Sequence, residues 1–535
     1  MITGVNFRPK FYAPAYNPIV WSVSSSKAAL TTIVDFKYVF DIYIDDVKVN
    51  RIKQRPNPVG VGMIDVSLIA QSYLDIGNFA NEVGTPTAKP MKTGMDAVCS
   101  VYMLIGEEYA TDTDPNNLVL YPGTSDEPGS PSYRVGAQGF STSGGSSTGN
   151  ELVPVICLPY TLEWSEQQDT LAVQNTLTPP DYFGLFGYVA PYVLKSPGLY
   201  PASTCNSLGL FLSKSPRTTV ASGEWQTSAT APSQNFTSYD LPYDRQTLTF
   251  LNRNPVYQYY TTAGTYPYLQ ASSPIVAWFE FYNSAGANIG EYSVPNSQDF
   301  GGAPRELCNS QISTFSNTDN QELISLRVGP LDLEELNVWV DLGEVPAYYT
   351  VQLFANLSID EECVYVGSPS VPLSELVTIQ ITEDCTSYLY PRVRLVWLNS
   401  LGGRDYWNFT MFAEETLDAK GLEYYQPEIL WSNTTPVITS GDKTQNWLHG
   451  GNKSYNKTSI TKWTIMTDWL TQDEVDFLKE TVQSSQVWAY IGVEDFPYTG
   501  KIVETSYTVK TVKMVKMFKL TFNFQTSTER SIQNV

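Results

Sequence analysis

The run Arg394-Leu395-Val396-Trp397-Leu398-Asn399-Ser400-Leu401-Gly402-Gly403-Arg404-Asp405-Tyr406-Trp407-Asn408-Phe409 reads as a strand, a tight turn and a returning strand. Val396, Leu398, Tyr406 and Phe409 supply apolar or aromatic packing, and Gly402-Gly403 supply the positive φ of a two-residue hairpin turn. A longer signal spans 33–44. Val34, Phe36, Tyr38, Phe40, Ile42 and Ile44 make an apolar face, and Asp35, Lys37, Val39, Asp41 and Tyr43 a mixed one. Asp45-Asp46 is expected to turn the chain back through Val47-Lys48-Val49. Such segments commit the chain to sheets, and the composition agrees. Aromatic residues are 13 %, charged residues only 16 %, and there are 35 Gly and 34 Pro, the reverse of a helical bundle.

At 535 residues the chain exceeds one ordinary core. The predicted architecture is mainly β: multi-domain β-sandwiches with a small C-terminal α+β module. The expected domains are 1–225, 226–440 and 441–535. Asp65 is expected to cap a short helix reaching Tyr73, with Leu68, Ile69 and Tyr73 inward. A Gly/Ser-rich tract at 129–150 is expected to be a mobile loop, ordered only against a neighbour, between strands at 101–104 and 152–158. Further strands are expected at 275–282, with a turn at Asn283-Ser284-Ala285-Gly286, and at 348–354 and 377–381. Near the end, Thr471-Gln472-Asp473-Glu474 matches a capping box, with Val475, Leu478 and Val482 on one helical face. Strands at 487–491, 502–508 and 516–524 follow.

The net charge of −22, from 33 basic and 55 acidic residues, argues against a protein whose main task is gripping phosphates. Six scattered cysteines, with no CxxC, read as reduced, buried side chains. No apolar run reaches the roughly 18–20 residues of a membrane span, and Met1-Ile2-Thr3-Gly4 opens no signal-peptide pattern. The single histidine, His449, lies in a Gly-rich turn without a Gly-x-Ser-x-Gly elbow, so it reads as a loop or interface residue. Glycoside hydrolysis needs only two carboxylates, and Asp405, Glu423, Glu107, Glu108, Glu361 and Glu362 are available. Glu107-Glu108 and Glu361-Glu362 are expected on solvated strand ends or loops. Trp397, Tyr406 and Trp407 are sugar-stacking candidates, with core packing the stronger expectation. The lysines Lys501, Lys510, Lys513, Lys516 and Lys519 interrupt an acidic chain. They are expected on a solvated or edge-strand face, or against an acidic partner subunit. No cofactor or metal is expected.

Three blocks carry a resemblance. One is Ala15-Tyr16-Asn17-Pro18-Ile19-Val20-Trp21, followed by Phe36-Lys37-Tyr38-Val39-Phe40-Asp41-Ile42-Tyr43 and Arg55-Pro56-Asn57-Pro58. The second is Cys385 with the hairpin above, and the third is Leu470-Thr471-Gln472-Asp473-Glu474, Ser484-Ser485-Gln486-Val487-Trp488 and Ser506-Tyr507-Thr508-Val509-Lys510. Together they resemble structural proteins from the tail or virion modules of bacteriophages infecting Bacteroidetes, crAss-like phages among them. The resemblance implies a virion component made in the host cytoplasm, most simply a tail hub, baseplate-like or adaptor protein and not an enzyme. It further implies other tail proteins as partners in cyclic homo- or hetero-oligomers, without specific nucleic-acid binding. Arg404 stands where an apolar residue is expected, so it joins Lys510, Lys513, Lys516 and Lys519 as a candidate subunit interface. The alternatives are a receptor-binding adhesin and a polysaccharide depolymerase.

Overall fold

The computed structural model describes residues 1–9, 12–74, 91–93, 98–136, 154–159, 211–219, 234–251, 276–295, 323–354, 358–359, 365–366, 374, 376–382, 392–409, 411–426, 451–492, 497–503, 518–527 and 530–532. The chain is mainly β, with several sheets and a small α+β region. It divides into two compact units: Met1–Asp384 with Leu398–Tyr406, and Cys385–Trp397 with Trp407–Val535. The domain boundaries expected at 225/226 and 440/441 lie outside the described residues.

In the first unit, the strand Ile33–Ile44 lies between Val47–Gln54 and Cys99–Thr111, both antiparallel to it. Cys99–Thr111 also pairs with Asp114–Tyr121, Tyr133–Val135 and Val155–Leu158. The last of these runs parallel to Tyr12–Pro14. Both faces of the central strand are covered. Tyr38, Phe40 and Ile42 are buried on one face, and Val39 and Asp41 on the other. Asp41 tolerates this because Lys48 and Arg51 bind its carboxylate at 2.7 and 2.5 Å. The Asp45-Asp46 turn forms with φ of 47° and 63°, the left-handed pair that matches strand twist in two-residue hairpins. Asp45 accepts hydrogen bonds from the amide and hydroxyl of Ser100.

Three expectations in this region are corrected. The helix is shorter, Ser67–Gln71. It buries Ser67 and Ala70, leaving Leu68 78 % exposed and Tyr73 half-exposed. Asp65 still binds the Ser67 amide, but one and a half turns cannot turn all three apolar side chains inward. The tract beginning at residue 129 is structured at its start. Tyr133–Val135 joins the sheet, Val135 is buried, and the Arg134 guanidinium lies 4.1 Å from the Tyr102 ring centre. Residues 137–150 lie outside the described residues. Glu107 and Glu108 are buried within a long strand and not on a solvated end. Each faces a cation: the Met1 ammonium at 3.3 Å from Glu107, and Lys53 at 2.5 Å from Glu108.

A second core of this unit joins two sheets. Arg217–Thr219, Gln234–Asp240, Val377–Ile381, Tyr348–Phe354, Val276–Tyr282 and Asn288–Pro295 form one, in that order. Thr247–Leu251, Leu323–Arg327 and Met91–Thr93 form the other. Phe279, Phe281, Tyr349, Val351 and Ile379 of the first meet Leu248, Phe250, Ile324 and Leu326 of the second in one apolar cluster. Leu333 of helix Pro330–Glu335 and Val338 of helix Val338–Leu342 complete it. The strands expected at 275–282, 348–354 and 377–381 are present, and Asn283 organises the expected turn by accepting from the Ala285 and Ala287 amides.

The second unit carries the helix Gln472–Gln483 on a sheet. Thr471 and Glu474 make the reciprocal capping box, and Val475 and Leu478 are buried. Strand order is Arg404–Phe409, Val393–Leu398, Val487–Ile491, Tyr498–Ile502, Thr521–Thr526, Gly451–Met466 and Phe412–Gln426, with Arg530–Ile532 also on Gly451–Met466. Residues 504–517, which include most of the strand expected at 502–508, lie outside the described residues.

Candidate functional site

The hairpin does not turn through two residues. Its strands, Val393–Leu398 and Arg404–Phe409, are joined by a five-residue loop, 399–403, built on Asn399. The Asn399 side-chain oxygen accepts from the Leu401 and Gly403 amides at 3.0 Å. Of the two glycines only Gly402 has positive φ, 86°. Gly403 is required for another reason: a Cβ there would overlap the Leu212 carbonyl oxygen.

Asp405 is buried beside this loop as an acceptor. Its carboxylate accepts from Ser213 Oγ at 2.6 Å, the Lys214 amide at 3.0 Å and Asn399 Nδ2 at 2.9 Å. Asn399 Nδ2 also donates to the Leu212 carbonyl at 2.9 Å. Tyr406 Oη accepts from the Thr247 amide at 3.1 Å and lies 2.7 Å from Thr247 Oγ1. The polar residues of the hairpin therefore lock its tip, Leu398–Tyr406, onto 212–214 and Thr247. Of the stacking candidates, Trp397 is buried with its ring 5.1 Å from that of Phe477, and Trp407 packs on the same core.

The first unit also buries a charge cluster at the start of helix Pro330–Glu335. Arg245 donates to Asp332 at 3.2 Å and grips Glu335 through two nitrogens at 2.9 and 2.5 Å. Arg327, 98 % buried, lies 3.8 Å from Asp332 and 3.9 Å from Glu335. Burial pushes the Asp332 carboxyl up to about 6, while Arg327 and Arg245 pull it down. Glu335 is held below the usual carboxylate range, mainly by its bond to Arg245. Burial would lower Arg245, but Glu335 and Asp332 more than offset this and keep it above its ordinary value. Two buried cations facing two carboxylates make a structural pin. Cys99 and Cys157 are buried, free and directly opposite on paired strands. Contact with Cys99, with burial second, pushes the Cys157 thiol up, which makes it unreactive.

Two of the expected interface residues are described. Arg404 is half-buried at the start of its strand. Lys519 is exposed, with its ammonium 4.7 Å from the ring centre of Trp469, itself 54 % exposed. Lys510, Lys513 and Lys516 lie outside the described residues, as do His449, Glu361 and Glu362. Lys501 is exposed but on Tyr498–Ile502, which has a strand on each side, so it guards no edge.

The most open feature was not anticipated. Phe412–Gln426 and Gly451–Met466 form a hairpin paired over almost its whole length. Gly451–Met466 meets Thr521–Thr526 only through Lys462–Met466 and Arg530–Ile532 only through Lys457–Ser459. Phe412–Gln426 ends the sheet, and among the described residues nothing pairs with its outer edge. Glu414, Glu415, Thr416, Leu417, Ala419, Lys420 and Gly421 are exposed on both faces. Leu417 and Tyr425 on it stand 59 % and 69 % exposed. Among the described residues no group of three His, Cys, Asp or Glu side chains is placed to hold a metal, and no helix is long and apolar enough to cross a membrane. No protein-family model matches the chain, and no curated protein matches it at a significant level.

Proposed function

We propose that the chain is a non-enzymatic structural component of a bacteriophage virion: a tail hub, baseplate-like or adaptor protein that assembles with other tail subunits. It is made in the host cytoplasm and resides in the tail. The observation that carries this reading is the hairpin Phe412–Gln426/Gly451–Met466, whose outer strand is largely exposed on both faces and, among the described residues, has no strand on its outer edge. A two-stranded ribbon is marginal in water, and an open edge is a template for another chain. The resemblance of the three sequence blocks to phage virion proteins supports it further. In the same reading the two sheets that share a core in the first unit are a β-sandwich, and the capped helix with its strands is the C-terminal α+β module. Packed layers of this kind suit large contacts.

Electron microscopy of intact particles, with subunits assigned in the density, tests the proposal. The chain is expected in the tail. Density for it only in the capsid, or nowhere in the particle, refutes the reading. The exposed rings of Tyr425 and Trp469 favour one second reading, a glycan-binding adhesin, which binding of the isolated protein to a glycan array would support.

A further inference from the structure

We infer that the edge strand Phe412–Gln426 is a self-complementary docking surface for a second copy of this chain, paired antiparallel about Leu417. The inference rests on the assembly reading above for its purpose, and on the residues of the edge for its content. A two-fold axis normal to a sheet sets residues of the same face opposite one another. Centred on Leu417, that symmetry places Leu417 against Leu417, Thr416 against Asp418 and Glu415 against Ala419. It also places Glu414 against Lys420, twice.

Neighbouring registers fail on charge. Centring on Thr416 sets Glu414 against Asp418 twice, and centring on Asp418 sets that carboxylate against itself. Like charges directly opposite destabilise a pair of strands, whereas opposite charges and apolar contacts stabilise it. The run is bounded too, since the ladder shifts register after Lys420.

The residues this pairing uses are exposed except at Asp418. Across its own hairpin Glu414 faces Thr464, Lys420 faces Thr458 and Leu417 faces Thr461. Asp418 is already neutralised by Lys462. Glu414 and Lys420 form no ion pair among the described residues, Lys420 acting on Asp418 only as a weaker neighbour of Lys462, and Leu417 is 59 % exposed. The usual protection of an edge by charge is cancelled in this one register, because the partner presents the opposite sign. A seven-residue edge is smaller than a standard interface, so the pairing alone is expected to be weak, on the order of micromolar.

The test is sedimentation equilibrium of the full chain over a concentration series, for the wild type, E414K, K420E and the double variant E414K/K420E. The wild type is expected to dimerise. Each single reversal sets like charges opposite and weakens dimerisation about tenfold or more. The double variant exchanges the two signs and restores the affinity to within about threefold. All the changed side chains are exposed, and circular dichroism confirms that each variant is folded. A wild type that stays monomeric up to about 100 µM overturns the inference. So does self-association that ignores the reversals, which leaves the assembly reading standing. A charge-sensitive dimer from a protein absent from particle tails supports the docking surface and sinks the tail assignment alone.

Discussion

Replacing Asp405 by alanine removes the acceptor on which Ser213, Lys214 and Asn399 converge. Hydrogen bonds to a charged group are worth about 1.5–3 kcal/mol each, but the three losses do not add. Asn399 Nδ2 keeps the Leu212 carbonyl, and the Ser213 hydroxyl keeps Ser215 Oγ at 3.2 Å. The Lys214 amide loses this acceptor outright. The net cost is therefore expected near 2–4 kcal/mol. Hydrogen exchange followed by mass spectrometry reads this directly as easier opening of the tip. At about 1.36 kcal/mol per decade, amides in 211–216 and 399–406 should exchange roughly 30- to 900-fold faster. Asp405→Asn keeps one acceptor oxygen and should fall between the two. Exchange of these segments within about threefold of wild type in D405A would show that the carboxylate does not hold the tip.

Gly403→Ala drives a methyl into the Leu212 carbonyl and should cost about 2–4 kcal/mol; a melting temperature within a degree of wild type contradicts that packing. Thr471→Ala removes the capping box and should lower stability by about 1 kcal/mol, read by urea denaturation of the second unit's helix signal. The folded chain holds the Asp332 carboxyl at about 6, above its ordinary 3.8, so it binds the extra proton between those values. The stability contributed by that proton is full below 3.8, falls as pH rises towards 6 and is constant beyond. The difference in unfolding free energy between wild type and D332N should shift in favour of D332N across that window, and a flat difference refutes the assignment.

Much of the architecture was legible because it follows local rules. The capping box at Thr471 and Glu474 needs only four residues, and the turns at Asp45-Asp46 and Asn283 only two to five. Strands 348–354 and 377–381 alternate or run apolar because a core covers them. The hairpin Phe412–Gln426/Gly451–Met466 is not legible in the sequence, for the opposite reason. Glu414-Glu415-Thr416-Leu417-Asp418-Ala419-Lys420 is exposed except at Asp418, so no core periodicity is imprinted on it. Glu107 and Glu108 were misjudged because their countercharges come from distant parts of the chain, Met1 and Lys53. Asp405 likewise shows its role only once 213–214 are brought beside it.

Among the described residues two strand pairs run parallel, and both join segments far apart in the chain: Tyr12–Pro14 with Val155–Leu158, and Gln234–Asp240 with Val377–Ile381. At about 5–20 residues per second, a ribosome that has finished Asp240 needs roughly 7 to 30 s to deliver Val377. For that interval one rim of the nascent sheet has no mate. Synthesis speed, and whatever shields a half-built layer, should therefore bear on the yield of this protein.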